Sequence, residues 1–351
     1  MDYGELLLNE DVLLPEYLPE RLPGREREIN EIAHNFKVAL NGRKPESLLI
    51  YGPPGTGKTA VLKYVIRQLA EYSGKVRITY VNCWHMGTRF GILSEIARCV
   101  GYISPMKGAA VEDVLKRMAE IIKKKGIFVV VVLDEMDRLV ASGHGDVLYD
   151  ISRMNEVYGV KISVIGIVND VGLLAALDPR IRSSVINRDV EFKPYTVPQL
   201  KQILEERARL AFSSYSPEAI GVCAAHAYKF NGDARVGIGL LLSAGRIAEK
   251  KGLPKLDVQS VEEAAAAQKS RQAKIEKAEV ELGEVEKKII EILKNGEISS
   301  GELYAKLDGM NERTVRNYLT KMEKSGIIEV KENVGKGRSR IIRLKSNQDK
   351  K

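Results

Sequence analysis

Gly52-Pro53-Pro54-Gly55-Thr56-Gly57-Lys58-Thr59 fits the pattern G-x-x-x-x-G-K-[ST] and lies between the apolar run Ser47 to Tyr51 and a helical pattern that opens near Lys58. Strand, loop, helix is the context in which such a loop cradles a triphosphate. Its backbone N–H groups point inward, and the following helix adds the positive end of its dipole. Lys58 is expected at the β/γ-phosphates, and the Thr59 hydroxyl on Mg²⁺. Ala60 and Val61, which open the helix, complete the nucleotide-contacting stretch Gly52 to Val61.

Five β-like runs alternate with helical segments: Ser47 to Tyr51, Arg77 to Asn82, Ile127 to Leu133, Lys161 to Val168 and Asp189 to Phe192. The unbroken apolar run Phe128 to Leu133 indicates a parallel strand covered on both faces. In a doubly wound sheet the site lies at the carboxyl ends of the strands, where Gly52, Asp134 and Asn169 all fall. Asp134-Glu135, about 75 residues after the phosphate loop, has the chemistry of a hydrolytic pair. Asp134 holds Mg²⁺ through water, and Glu135 orients and deprotonates the attacking water. Asn169 is placed to touch the γ-phosphate or that water, and Asp137 reads as a cap or salt-bridge residue.

With 351 residues, the chain is expected to form two or three domains, and 44% hydrophobic content supports packed cores for them. No apolar run approaches the ~20 residues needed to span a bilayer, so no membrane role and a cytoplasmic location are expected. The three cysteines and four histidines lack metal-ligand spacing. Net charge is +8. From Gly283 to Lys351 there are 16 Lys+Arg against 11 Asp+Glu, and the excess is concentrated in Lys331 to Lys345, where Glu332 is the single acid. A local basic strip of this kind suits a polyanionic partner.

From Thr196 to about Lys274 the pattern is helical, punctuated by Gly232 and Gly252-Leu253-Pro254. A charged helical stretch, Gln268 to Lys288, then leads to a helix over Val285 to Leu293, a short helix opened by Ile298-Ser299-Ser300-Gly301-Glu302, and a helix from about Asn311 to Ser325. Two β-like runs follow, Ile327 to Lys331 and Arg340 to Leu344. This order predicts a winged helix. Val315, Leu319 and Met322 recur at i, i+4, i+7 and face the core, which leaves Arg313, Arg316, Asn317, Thr320 and Lys324 for major-groove contact. Lys336, Arg338 and Arg340 belong to the wing, whose tip Gly335-Lys336-Gly337-Arg338 suits a minor groove or flanking phosphates.

Together, Gly52 to Thr59, Asp134-Glu135, Val168-Asn169-Asp170, Leu177-Asp178-Pro179-Arg180-Ile181-Arg182-Ser183-Ser184, Phe192 to Thr196 and Gly232-Asp233-Ala234-Arg235 resemble the AAA+ ATPases of the initiator clade. They are most similar to the archaeal origin-recognition and replication-initiation proteins, relatives of the eukaryotic origin recognition complex. The likeness spans about residues 10 to 345. It implies an α/β fold: an AAA+ parallel-sheet P-loop domain over 1–194 with an N-terminal strap over 1–23, a helical lid and linker helix over 195–282, and a winged-helix DNA-binding domain over 283–351. It further implies that Tyr195 packs near adenine, Arg207 helps close the pocket, Arg235 senses the γ-phosphate, and Arg180 or Arg182 reaches a neighbouring subunit's nucleotide. The segment between Asn82 and Val111 takes the place of an initiator-specific helical element that contacts DNA, with Arg89 as its basic candidate. The expected ligands are ATP or ADP with Mg²⁺. The expected partners are duplex origin DNA, homologous initiator subunits and the replicative helicase, with hydrolysis serving as a slow switch. Two rivals share parts of this organisation: a branch-migration helicase motor and a nucleotide-gated transcription regulator.

Overall fold

The computed structural model describes residues 6–41, 43–70, 75–102, 110–169, 172, 179, 182, 187–294, 296–307, 310–324, 327–332 and 340–344, with backbone alone at 39, 40, 70, 271–284, 294, 324, 331 and 332. The chain divides into two compact units, Met1–Ala265 and Ala266–Lys351, and the division falls within the long helix Val258–Lys294.

In the first unit, β1 (Leu48–Tyr51), β2 (Val76–Asn82), β3 (Phe128–Asp134), β4 (Ile162–Val168) and β5 (Arg188–Glu191) form one sheet in the order β2-β3-β4-β1-β5. All its pairings are parallel. Each strand lies within a residue or two of its predicted run. Every residue of β3 is buried, and its side chains alternate between two cores. Val129, Val131 and Leu133 enter one core, with helices Arg89–Val100, Val111–Lys125 and Asp146–Tyr158. Val130 and Val132 enter the other, with helices Glu26–Leu40 and Lys58–Ala70. This two-sided cover explains the unbroken apolar run in the sequence.

The lid packs Val197–Ala211, Pro217–Lys229 and Ala234–Lys250 around Leu200, Leu204, Ala208, Leu240, Leu241 and Ala244. Ser216 and Asp233 cap the second and third of these helices by accepting hydrogen bonds from Ala219 N–H and Arg235 N–H. The N-terminal strap packs with this bundle: Leu6, Leu7, Val12 and Leu13 are buried in the lid core, and Leu8 N–H donates to Ala211 O. Apolar spacing at the chain start carried no sign of which layer it would join.

The second unit runs helix, β6 (Ile298–Ser299), helix Ser300–Lys306, helix Glu312–Lys324, β7 (Ile328–Glu332) and β8 (Arg340–Leu344), the element order expected of a winged helix. Its sheet has the order β6-β8-β7. Sequence reading took Ile298-Ser299 as the opening of a helix. Ile298 instead pairs with Ile342 on the hairpin, and Ser299 both pairs with Ile341 and caps the next helix. Val315, Leu319 and Met322 are buried as the spacing required, beside Ile289, Leu303, Ile328 and Ile342.

Candidate nucleotide site

The phosphate loop owes its shape to three glycines in the left-handed half of backbone space: Gly52 (φ 144°), Gly55 (φ 72°) and Gly57 (φ 88°). Each is also in close contact with its surroundings. A Cβ on Gly52 would lie 2.2 Å from the Phe192 carbonyl oxygen, and one on Gly57 would lie 2.6 Å from the Tyr195 hydroxyl. At Gly55 the clash is with the lid itself, because Asp233 Oδ1 stands 1.7 Å from where a Cβ would sit. The lid and the loop are further joined by Ala234 N–H donating to Gly55 O at 3.2 Å.

Lys58 is buried, and its three ammonium protons have three acceptors: Gly52 O (2.6 Å), Pro53 O (2.8 Å) and Asn169 Oδ1 (2.9 Å). Burial, then the nearby charge of Arg235, lowers its pKa from the usual lysine value to about 8. Asn169 is held in turn by Asp137, whose Oδ2 accepts from the Asn169 N–H at 3.2 Å. Asp137 therefore props Asn169 at the end of β4, a contact its sequence position did not reveal.

The predicted metal ligands also meet. Thr59 Oγ1 donates to Asp134 Oδ2 at 3.0 Å, and the Tyr80 hydroxyl donates to the same oxygen. Burial, reinforced by Asp134, pushes the Tyr80 pKa above that of an ordinary phenol. A threonine hydroxyl in the first turn of a helix, beside a buried carboxylate at the end of β3, is a hard-oxygen donor set that fits Mg²⁺. Glu135 follows in a left-handed conformation (φ 56°, ψ 44°) without a glycine's freedom. Such a residue costs about 1–3 kcal/mol and marks functional sites. Helix Met136–Ala141 begins directly after it.

Arg235 donates from Nη2 to Asp233 Oδ2 at 2.9 Å and from Nε to Oδ1 at 3.2 Å. The sensor candidate is thus held at the mouth of the loop by the carboxylate that touches Gly55. Tyr195 is buried between Gly57 and Arg25, whose guanidinium lies 3.9 Å from the centre of its ring. Arg25, almost wholly buried, also donates to Thr56 O (2.9 Å), Lys193 O (2.6 Å) and Glu28 Oε1 (2.8 Å). It links the phosphate loop to the entry of the lid. Arg207 turns to the strap, donating to Val12 O at 2.6 Å and packing 4.5 Å from the Tyr17 ring centre.

Arg89, the basic candidate of the Asn82–Val111 segment, makes a two-pronged ion pair with the buried Asp150, 2.7 Å in each prong, and its side chain stays 42% exposed. Nearby Trp84 is exposed, with the Arg138 guanidinium 3.9 Å from its ring centre. Arg182 is exposed, and Arg180 lies outside the described residues. In the second unit Arg313, Arg316, Asn317 and Thr320 share the exposed face, although the Thr320 hydroxyl donates to Arg316 O. Arg340 is exposed on β8; Lys336, Arg338 and the Lys324 side chain lie outside the described residues.

Tyr80 is the contributor that sequence reading left out; Arg25, placed by resemblance in the strap beside the base over Leu22 to Glu26, and Asp233, within Gly232 to Arg235, had no individual role there. Strand parity was the one available signal for Tyr80: with Asn82 opposite Asp134, Tyr80 shares their face.

A family model for the AAA domain matches residues 42–169, and one for the Cdc6 AAA+ ATPase-type lid domain matches residues 201–266. An ORC1-type DNA replication protein of Desulfurococcus amylolyticus is 34% identical over 362 residues, covering 97% of this chain and 91% of that protein. The chain belongs to the ORC1-type DNA replication proteins. Its likeness to ORC1-type DNA replication protein 1 of Aeropyrum pernix is 36% identity over 344 residues, 94% of this chain and 87% of that one. Among solved structures, that of the Aeropyrum pernix ORC1 protein in complex with DNA matches with TM-score 0.70 and 32% identity, covering 98% of this chain and 95% of the other. This ORC1-type chain is thus a replication initiator with an AAA+ ATPase fold, which sets aside the motor and transcription-regulator rivals.

Proposed function

We propose that this chain is an ATP switch that controls a grip on duplex origin DNA and, through it, recruitment of the replicative helicase. The observation that carries the reading is the convergence of Lys58, Thr59, Asp134, Glu135 and Asn169 with Arg235, which reaches the loop from the lid. Lys58 and the backbone of Gly52 to Thr59 hold the phosphates. Thr59 and Asp134 hold Mg²⁺, which supplies charge neutralisation of the phosphates. Glu135 takes the proton of the attacking water, Asn169 positions that water, and Arg235 exchanges Asp233 for the γ-phosphate. Ala60, Val61 and Tyr195 enclose the rest of the nucleotide; Arg207, expected to close the pocket, instead ties the lid to the strap through Val12 O and the Tyr17 ring. Arg180 or Arg182 serves the nucleotide of an adjoining homologous subunit.

DNA contact falls to Arg313, Arg316, Asn317, Thr320 and Lys324 on the exposed helix face and to Lys336, Arg338 and Arg340 on the wing. Phosphate contacts set the salt dependence, and the Arg/Asn pair suits base edges. The test is turnover with and without DNA, beside duplex binding in ATP and in ADP. Slow turnover with nucleotide-dependent affinity for one chromosomal duplex is expected. Processive, strongly DNA-stimulated hydrolysis, or equal affinity in both nucleotides, overturns the switch.

A further inference from the structure

We infer that Tyr80 is a positioning residue for the Mg²⁺-holding carboxylate of Asp134; the inference rests on the reading of Thr59 and Asp134 as the metal's ligands. One carboxylate oxygen, Asp134 Oδ2, accepts from both the Tyr80 hydroxyl and Thr59 Oγ1, while Oδ1 accepts from the Glu135 N–H at 3.0 Å. The three donors come from three elements and leave the carboxylate little freedom to rotate. They differ in rigidity. Thr59 stands in the first turn of a helix that follows a glycine loop, and Glu135 is in a strained turn. Tyr80 stands within β2, paired along its length with the wholly buried β3, two residues before the Asn82–Asp134 pair. Its ring is covered on the helix side by Lys63, whose ammonium lies 5.2 Å from the ring centre. The phenol is therefore the donor fixed by the sheet itself, and it sets the direction in which Asp134 presents its oxygens.

Partners of this kind behind a metal ligand commonly govern affinity for the metal by about 10–100-fold. Removing only the hydroxyl, in Tyr80→Phe, keeps the ring and its packing. Binding of a fluorescent ATP analogue is measured in EDTA and across a Mg²⁺ titration, with a thermal melt of each protein. The expected result is unchanged affinity in EDTA and an unchanged melting midpoint, with the half-saturating Mg²⁺ concentration raised about tenfold or more. In an Asp134→Ala background the same substitution should then have no further effect. A Mg²⁺ dependence identical to wild type, or a loss of affinity equal in EDTA and in Mg²⁺, overturns the assignment. A wild-type protein whose nucleotide binding ignores Mg²⁺ overturns the metal reading beneath it, so the two failures are told apart.

Discussion

The first unit and the second both depend on cations, but they hold them in opposite ways. In the first unit Arg25 and Lys58 at the phosphate loop and Arg207 at the strap are buried, and each is tied to backbone carbonyls. On the helix Glu312–Lys324 Arg313 and Arg316 are exposed, and among the described residues neither forms an ion pair. A desolvated cation is rigid and expensive to orphan; a hydrated one is adjustable and contributes little to folding. The phosphate loop thus has cations built into its architecture, whereas the helix Glu312–Lys324 leaves its cations hydrated.

The largest effect that would test this contrast is on stability. Arg25→Ala strands Glu28 and two carbonyls in a buried setting and should cost about 3–5 kcal/mol in urea denaturation of the first unit. A loss below 1 kcal/mol would mean that the clamp is ornamental. Next is chemistry: Glu135→Gln should leave ATP affinity intact and reduce turnover by at least about a hundredfold, read as phosphate release. Normal turnover would remove Glu135 from its role.

On the other side of the comparison, Arg316→Ala should leave the denaturation midpoint within about 0.5 kcal/mol of wild type. It should also lower the slope of log affinity for duplex DNA against log salt by about one unit if it meets a phosphate. A marked loss of stability would show that this helix face is also structural. The smallest effect concerns Lys58, whose pKa burial lowers to about 8; a phosphate beside it would favour the charged form. The protonated form binds, so nucleotide affinity in EDTA should fall as pH rises through that value, by about twofold between pH 7 and pH 8, with protons taken up on binding. Flat affinity from pH 7 to 9 would show that Lys58 titrates higher than its burial implies.

Chemistry written in consecutive residues was legible before any fold was known. The phosphate loop, Asp134-Glu135, Asn169 and Gly232-Asp233-Ala234-Arg235 are each short motifs whose spacing is imposed by one turn or one strand end. Residues whose role depends on a distant partner were not. The contacts of Arg25 with Tyr195 and Lys193, far along the chain, and the ion pair of Arg89 with Asp150 could not be read from spacing. β6 was missed because two residues carry no period. The exposed face of Glu312–Lys324 was read correctly because burial of Val315, Leu319 and Met322 dictates it.

The chain contains a single tryptophan, Trp84, exposed and stacked against the Arg138 guanidinium. It stands two residues beyond Asn82, which pairs with Asp134, and Arg138 rides on the short helix that begins directly after Glu135. Any nucleotide-driven movement of that helix changes the indole's cationic neighbour and its wetting. Its emission is therefore a native optical gauge of the Asp134–Glu135 turn, one that needs no label.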